Sequence, residues 1–195
     1  MNDETHSPKI MFFGFFTIII VIIVMVTMYG LSKKNSLFPG SNSSQNIPSV
    51  VPTKTIEGSV SLSVDSTVKA IVNGRTFLKV IGNSNGKEVT GFDLLLKYDP
   101  LMVEVMQVQS TAQDFQVMSK DGGNILSITG YKMPSAKTKS VFSESEIINI
   151  VVRPKKAGPA VFEILAENGK EVTKFVDAST SIFYPATGKI TVEIQ

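Results

Sequence analysis

The sequence predicts an all-β protein, a jelly-roll β-sandwich of about nine strands, preceded by one transmembrane α-helix. Three observations predict this fold class. From residue 56 to residue 195, short segments in which apolar and polar residues alternate are separated by turn sequences. No helical period longer than about two turns occurs in that part of the chain. Residues 10–32, in contrast, form one continuous apolar run.

The apolar run extends from Ile10 to Ser32, which is 23 residues without a charged side chain, and lysines flank it on both sides. A membrane-spanning helix needs roughly 20 apolar residues, so this run is long enough to cross a bilayer. The apolar region of a cleavable signal peptide is usually about 7–15 residues and is followed by small residues, and neither property fits. We therefore expect an uncleaved anchor that begins at Ile10 and ends at Ser32.

Four segments follow one another along the chain. Residues 1–9 are a short polar tail, residues 10–32 the transmembrane helix, residues 33–55 a linker rich in Ser, Asn and Pro, and residues 56–195 the β-sandwich domain. The composition of the linker is that of an extended, flexible chain. A domain of about 140 residues buries roughly two thirds of the surface of its unfolded chain, so it is large enough to fold without disulfides.

Period-two alternation predicts the strands of this domain in order. In the first strand, Val60, Leu62 and Val64 alternate with polar residues. Turn sequences such as Asn168-Gly169 separate the later strands. Residues 68–72 are a weaker strand, residues 114–118 are ambiguous, and residues 133–145 are predicted to be a loop. The later strands are predicted at 75–81, 91–98, 103–108, 125–131, 146–153, 161–165, 172–176, 182–184 and 190–194.

The stretch from residue 91 to residue 108 is the centre of the predicted domain. Leu95 interrupts the polar row of its first strand, so the outer face of that strand is not fully polar. Asp99-Pro100 ends the strand, because proline has no N–H to donate to a neighbouring strand. The apolar positions then shift phase after Val105, which predicts a β-bulge or a strand covered on both faces. The core-facing residues of the first strand are Phe92, Leu94, Leu96 and Tyr98.

Charge and composition exclude several classes of function. The chain from residue 56 onward holds 15 basic and 15 acidic residues, so no field of one sign attracts nucleic acid. There is no cysteine, and the single histidine, His6, lies in the N-terminal tail. The usual pairs of nucleophile and base are therefore missing, as are zinc sites that need cysteine. The carboxylates form neither an evident glycosidase pair nor a calcium loop. We predict no enzyme activity, no catalytic residue, no metal and no cofactor.

The central stretch resembles the cohesin domain of bacterial cellulosome scaffolds, in which a half-buried strand ends in Tyr-Asp-Pro and is followed by a hydrophobic residue, Glu and Val. Residues 146–153, Ala157-Gly158 and residues 188–192 also resemble that family, so the resemblance extends over residues 56–195. Residues 143–146 depart from it, because they lack the Gly and small residues that often precede the next strand. The residues that match the specific motif are Leu96, Tyr98, Asp99, Pro100, Val103, Glu104, Val105 and Val108.

The resemblance implies a non-catalytic binding module. Cohesins use a flat sheet face to bind the calcium-loaded dockerin helices of partner enzymes. The implied partner is a dockerin-like or other surface protein, and the implied process is polysaccharide degradation. The apolar run predicts a single-pass protein of the cell membrane, and the resemblance implies that its C-terminal domain lies outside the cytoplasm. Lys33 and Lys34 slightly favour the opposite orientation by the positive-inside rule, and we follow the resemblance.

No motif in the sequence identifies the residues that contact a partner. Asp93, Leu95 and Lys97 share one outward strand face and are the candidate contact residues, although an ordinary solvated face has the same pattern. Direct carbohydrate binding is a second hypothesis, in which exposed Tyr131 and Tyr184 would supply stacking surfaces, and the absence of Trp weakens it. A third hypothesis is a structural subunit of a surface assembly that polymerises through the anchor.

Overall fold

The computed structural model describes residues 54–65 and 67–195. The predicted tail, the predicted transmembrane run and the linker up to residue 53 lie outside the described residues. Among the residues that are described, no helix is long and apolar enough to cross a membrane. The anchor, its orientation and the boundaries of the N-terminal segments therefore stay predictions.

The described part of the chain is all-β, which confirms the predicted class. It contains thirteen strands, whereas about nine were predicted. The strands are β1 Ile56–Val64, β2 Thr76–Asn83, β3 Val89–Lys97, β4 Val103–Ser110, β5 Phe115–Asp121, β6 Ile125–Lys132, β7 Ser145–Pro154, β8 Gly158–Leu165, β9 Glu167–Asn168, β10 Glu171–Val172, β11 Lys174–Asp177, β12 Ile182–Thr187 and β13 Lys189–Ile194. The segment at 114–118, for which the prediction was ambiguous, lies largely in β5. The predicted strand at 172–176 is divided at Thr173 into β10 and β11.

Backbone hydrogen bonds arrange the strands as a barrel-like sandwich. One layer has the order β4-β7-β2-β1, and the other has the order β5-β6-β3-β8-β13. Strands β11 and β12 join the layers, because β11 pairs with the first half of β3 and β12 pairs with β1. Strands β1 and β12 pair in parallel. The pairings within each layer, and those of β11 with β3 and β12, are antiparallel.

The core lies between the two layers and is built from inward residues of the strands. Apolar residues that are two apart on one strand share this side, as the period-two pattern predicted. Gly130 of β6 lies against Phe92, and a Cβ at this position would overlap the Phe92 ring. Five aromatic rings pack in a chain through the core with centroid separations of 5.3 to 6.2 Å, and these are Phe92, Phe115, Phe142, Phe175 and Phe183.

The Tyr-Asp-Pro motif has a structural role at the end of β3. Tyr98 is buried, and its hydroxyl donates to both carboxylate oxygens of Asp121 at 2.7 Å. The Asp99 side chain accepts the backbone N–H of Leu101 at 2.8 Å, which forms the turn into β4. The register of β4 against β7 then shifts between Val105 and Gln107. This bulge confirms the shift of phase predicted for this stretch.

Two loops differ in part from the prediction. Residues 68–72 do not form a strand, and the chain turns there through Asn73, whose φ is 62°. The loop predicted at 133–145 is largely irregular, but Phe142 is buried in the core. Ser84 holds this loop in place, since its hydroxyl accepts the backbone N–H of Phe142 at 3.1 Å and its own N–H donates to the Phe142 carbonyl at 2.8 Å.

Candidate functional site

The candidate contact residues lie on the outer face of the layer β5-β6-β3-β8-β13. We call this surface the outer face of β3 and define it by seven outward residues of β3, β6 and β8. Asp93 pairs with Thr129 of β6, and Lys97 pairs with Glu163 of β8. The strand pairing therefore brings residues that are far apart in the sequence into one surface. These residues are Asp93, Leu95, Lys97, Ser127, Thr129, Val161 and Glu163.

Asp93 is half-buried and fully engaged with its neighbours. One carboxylate oxygen accepts the Thr129 hydroxyl at 2.7 Å, and the other lies 3.1 Å from the Lys174 ammonium. Because Lys174 is on β11, this ion pair links the outer face of β3 to the strand that joins the two layers. The Asp93 carboxylate is thereby fixed in position and its charge is compensated.

Leu95 faces outward but is covered, because only 2% of its surface is exposed and it is not part of the core between the layers. The covering segment is the hairpin formed by β9 and β10, which we call the 165–173 hairpin. Thr173 anchors it, since its hydroxyl donates to the Leu165 carbonyl at 2.6 Å and accepts the Leu95 N–H at 3.2 Å. Leu95 therefore offers little surface of its own in this arrangement.

A small hollow of about 250 Å³ lies between the 165–173 hairpin and the sheet. The Ser127 hydroxyl donates to the Glu171 carboxylate at 3.1 Å across it. Lys170 and Lys174 also line the hollow, so both signs of charge surround it. The hairpin thus adds a polar rim to the outer face of β3.

Lys97 is the most accessible of the three candidates. It lies at the end of β3 and is exposed, with Ile125 of β6 on one side and Glu163 of β8 on the other. Nothing in the arrangement identifies a contact with a partner, so the assignment of Asp93, Leu95 and Lys97 to partner binding stays a prediction.

Three exposed apolar side chains lie on the same layer, and only Tyr131 among them was selected from the sequence. Met118 of β5 is 60% exposed, Val161 of β8 is 48% exposed and Tyr131 of β6 is 38% exposed. Tyr131 was expected to be exposed, but Met118 and Val161 were not singled out. Their outward orientation depends on the phase of β5 and β8, and the sequence left the first of these strands ambiguous. Singly exposed apolar residues are ordinary on protein surfaces, so these three do not by themselves identify a partner site.

Two of the titratable groups with a shifted pKa are turn-forming carboxylates, Asp65 and Asp177. Hydrogen bonds from the side chain and the backbone of Thr67 lower the pKa of Asp65. Hydrogen bonds from the Ser179 hydroxyl and the Ser181 N–H lower the pKa of Asp177. Such carboxylates remain ionised at neutral pH and do not act as proton donors. Within residues 54–65 and 67–195, no group of three or more metal-ligating side chains could hold a metal ion.

Comparison with known proteins gives no match to a protein-family model and none to a curated protein sequence. Solved structures do match. The cohesin module of a family 33 glycoside hydrolase from Clostridium perfringens matches with a TM-score of 0.61 and 14% identity, over 72% of this chain and 98% of that module. The domain has a cohesin-like fold.

Two further cohesins extend the likeness. A non-cellulosomal cohesin from Archaeoglobus fulgidus matches with a TM-score of 0.56 and 14% identity, over 71% of this chain and 91% of that one. The sixth cohesin of scaffoldin B from Acetivibrio cellulolyticus, solved in complex with a dockerin, matches with a TM-score of 0.55 and 13% identity, over 71% of this chain and 99% of that one. The cohesin-like domain of this chain thus corresponds to nearly the whole of each module.

Proposed function

We propose that this chain is a membrane-anchored, non-catalytic binding module that displays its cohesin-like domain outside the cell and binds a dockerin-like protein there. The cohesin-like fold carries this proposal, because a solved structure with the same fold is a complex with a dockerin. The uncharged run at 10–32 supports the anchor, and the linker at 33–55 would hold the domain away from the bilayer.

The outer face of β3 is the surface we propose for the partner. Val161 supplies exposed apolar area, and Lys97 and the partly exposed Glu163 supply charge. The fixed side chains of Asp93 on β3 and Thr129 on β6 lie on the same face. A stable interface buries about 800 Å² on each partner and combines an apolar centre with a polar rim. With β5 and β13 on either side of it, the outer face of β3 offers enough width for such an interface.

The proposed biological role is to tether enzymes that act on polysaccharides. Two of the matching structures support this role. One is a cohesin module of a glycoside hydrolase, and the other is a cohesin bound to the dockerin of Cel5. A partner that carries its own catalytic domain would then work close to the cell surface.

A capture experiment with the full chain tests the partner class. The chain is immobilised, cell extract is applied in calcium and the column is then eluted with a chelator. We expect elution of a protein with paired calcium-binding loops, because the implied dockerin partner folds around calcium. Retention that does not depend on calcium, or a partner without such loops, would contradict the dockerin-like partner.

The Lys97→Glu variant tests the proposed surface with the captured partner. Reversing an accessible charge at the centre of an interface is expected to weaken binding at least about tenfold, which corresponds to about 1.4 kcal/mol. Lys156→Glu is the matched control, since Lys156 is also exposed but lies in the turn between β7 and β8. Titration calorimetry of both variants gives the comparison. Equal affinities for Lys97→Glu and the control would show that the partner does not bind to the outer face of β3.

A further inference from the structure

An open groove lies where β4, the edge strand of one layer, approaches β5, the edge strand of the other. Its volume is about 580 Å³, and it is shallow and open to solvent. Backbone pairing places β5 beside β6, and it sets Gln116 directly opposite Tyr131. We call it the β4–β5 groove, and its lining residues are Gln109, Ser110, Gln116, Val117, Met118 and Tyr131.

Tyr131 is the aromatic surface of this groove and is held in a defined position. The Tyr131 hydroxyl donates to the Gln116 side-chain oxygen at 2.5 Å. This hydrogen bond fixes both side chains and leaves the Gln116 amide N–H groups to donate elsewhere. The ring remains 38% exposed. Gln109 is exposed on the opposite wall, so a second amide can donate and accept hydrogen bonds across the groove.

The lining of the β4–β5 groove contains no charged side chain. The hollow beneath the 165–173 hairpin, in contrast, is lined by Asp93, Lys170, Glu171 and Lys174. A charged ligand would find no counter-ion among the lining residues of the β4–β5 groove. The chemistry of the groove therefore favours a neutral ligand with one apolar surface and several hydroxyl groups.

We propose that the β4–β5 groove binds a neutral oligosaccharide. The apolar C–H face of a sugar ring stacks on Tyr131, and Met118 extends this apolar floor. The amides of Gln116 and Gln109 bind the sugar hydroxyls, for which an amide offers both a donor and an acceptor. This activity is additional to protein binding and does not depend on it.

Tyr184, the other tyrosine considered for sugar stacking, has different surroundings. The Lys54 ammonium lies 5.1 Å from the centre of the Tyr184 ring. Glu57 and Lys87 line the same pocket. A cation on the ring competes with a sugar for this face, so the oligosaccharide site is assigned to Tyr131 alone.

The β4–β5 groove is separate from the proposed centre of partner binding. Lys97 pairs with Ile125 at the start of β6, whereas Tyr131 lies near its end, six residues further on. At about 3.4 Å per residue, the two positions are roughly 20 Å apart along the strand. Binding of the protein partner to Tyr131→Ala therefore distinguishes the two sites.

Affinity electrophoresis of the full chain tests the proposal. Native gels contain hydroxyethylcellulose, xylan or glucomannan as neutral probes, and polygalacturonate as an acidic one. We expect at least one neutral polysaccharide to retard the chain. Tyr131→Ala should weaken the retardation at least about tenfold, since it removes the stacking surface, whereas Tyr131→Phe keeps the ring and should lose less. Tyr184→Ala is the aromatic control and should behave like the wild type.

Three outcomes would overturn the neutral-oligosaccharide site. They are no retardation by any neutral probe, retardation by polygalacturonate alone, and retardation that Tyr131→Ala leaves unchanged. Thermal unfolding of each variant verifies that it is folded, and we expect little change because Tyr131 and Tyr184 are not core residues. Binding of the captured protein partner to Tyr131→Ala gives an independent readout. If that partner binds normally while the neutral probe is lost, the two sites are distinct.

Discussion

Tyr98 connects the end of β3 to the turn between β5 and β6. Its ring is part of the core, and its hydroxyl donates to Asp121 at the last position of β5. The same Asp121 carboxylate accepts the Gly123 N–H at 2.8 Å, and the Tyr98 N–H donates to the Asn124 carbonyl at 3.0 Å. The residue that carries the cohesin resemblance thus fixes a hairpin, which explains its presence without any contact to a partner.

Replacing Tyr98 by Phe should lower the free energy of unfolding by about 2 kcal/mol, because a hydrogen bond to a charged group contributes about 1.5–3 kcal/mol. Chemical denaturation measures this loss. Tyr131→Phe is the control, since it also removes a hydroxyl that donates to a side chain, but at an exposed position. Equal losses of unfolding free energy in the two variants would show that the buried Tyr98–Asp121 hydrogen bond stabilises the fold no more than the exposed Tyr131–Gln116 hydrogen bond does.

The pH dependence of the same variant follows from the pKa of Tyr98. Burial and the hydrogen bond to Asp121 raise this pKa to about 12. A tyrosine in the unfolded chain has a pKa of about 10, so the stabilisation is complete below about pH 10 and is lost as the pH rises toward 12. The difference in stability between wild type and Tyr98→Phe should therefore be constant up to about pH 10 and shrink above it.

The 165–173 hairpin is the element that most changes the outer face of β3. Its turn contains Gly169, whose φ of 63° favours glycine. Its attachment depends on Thr173, which is 1% exposed and is the polar link between the hairpin base and the backbone of Leu95. The hairpin therefore covers Leu95 with a short segment that Thr173 anchors to the sheet.

Replacing Thr173 by Val should detach the hairpin locally. The shape of the side chain is kept, but the Leu95 N–H and the Leu165 carbonyl lose a partner, and each unsatisfied buried group costs about 1–3 kcal/mol. We expect hydrogen exchange at the Leu95 amide to accelerate at least about tenfold, as measured by NMR. Thr191→Val on β13 is the control, since Thr191 is exposed. Unchanged exchange at Leu95 would show that other contacts hold the hairpin.

The whole molecule combines a cohesin-like domain with a predicted anchor. If the run at 10–32 crosses the bilayer, its deletion should move the protein from the membrane fraction to the soluble fraction after carbonate washing. Deleting residues 36–50 of the linker is the control, because it leaves the run and its flanking lysines intact. Immunoblotting of the two fractions gives the result. Full-length protein in the soluble fraction would contradict the anchor.

Protease treatment of intact cells tests the orientation of the same molecule. With the domain outside, a protease added to the medium should cleave the linker at 33–55 and release the cohesin-like domain. Protection in intact cells, with cleavage only after lysis, would support the orientation that Lys33 and Lys34 favour instead.

Local alternation was sufficient to predict much of the fold. The inward row of Phe92, Leu94 and Leu96 and the change of phase after Val105 both recur in the structure, because adjacent residues of a strand point to opposite faces. The turn at Asn168-Gly169 was also predicted, and it lies between β9 and β10. Strand β5 was not, since its exposed residues outnumber its buried ones and give no clear period.

The sequence by itself determined the all-β class, the approximate positions of most strands and the central Tyr-Asp-Pro stretch. Only the tertiary structure decided that the 165–173 hairpin covers Leu95, that Phe142 enters the core from a loop, and that Tyr131 lies in an uncharged groove. The physical reason is that alternation reports which side chains share a face of one strand. What covers that face depends on pairings between residues far apart in the chain, and period two contains no information about them.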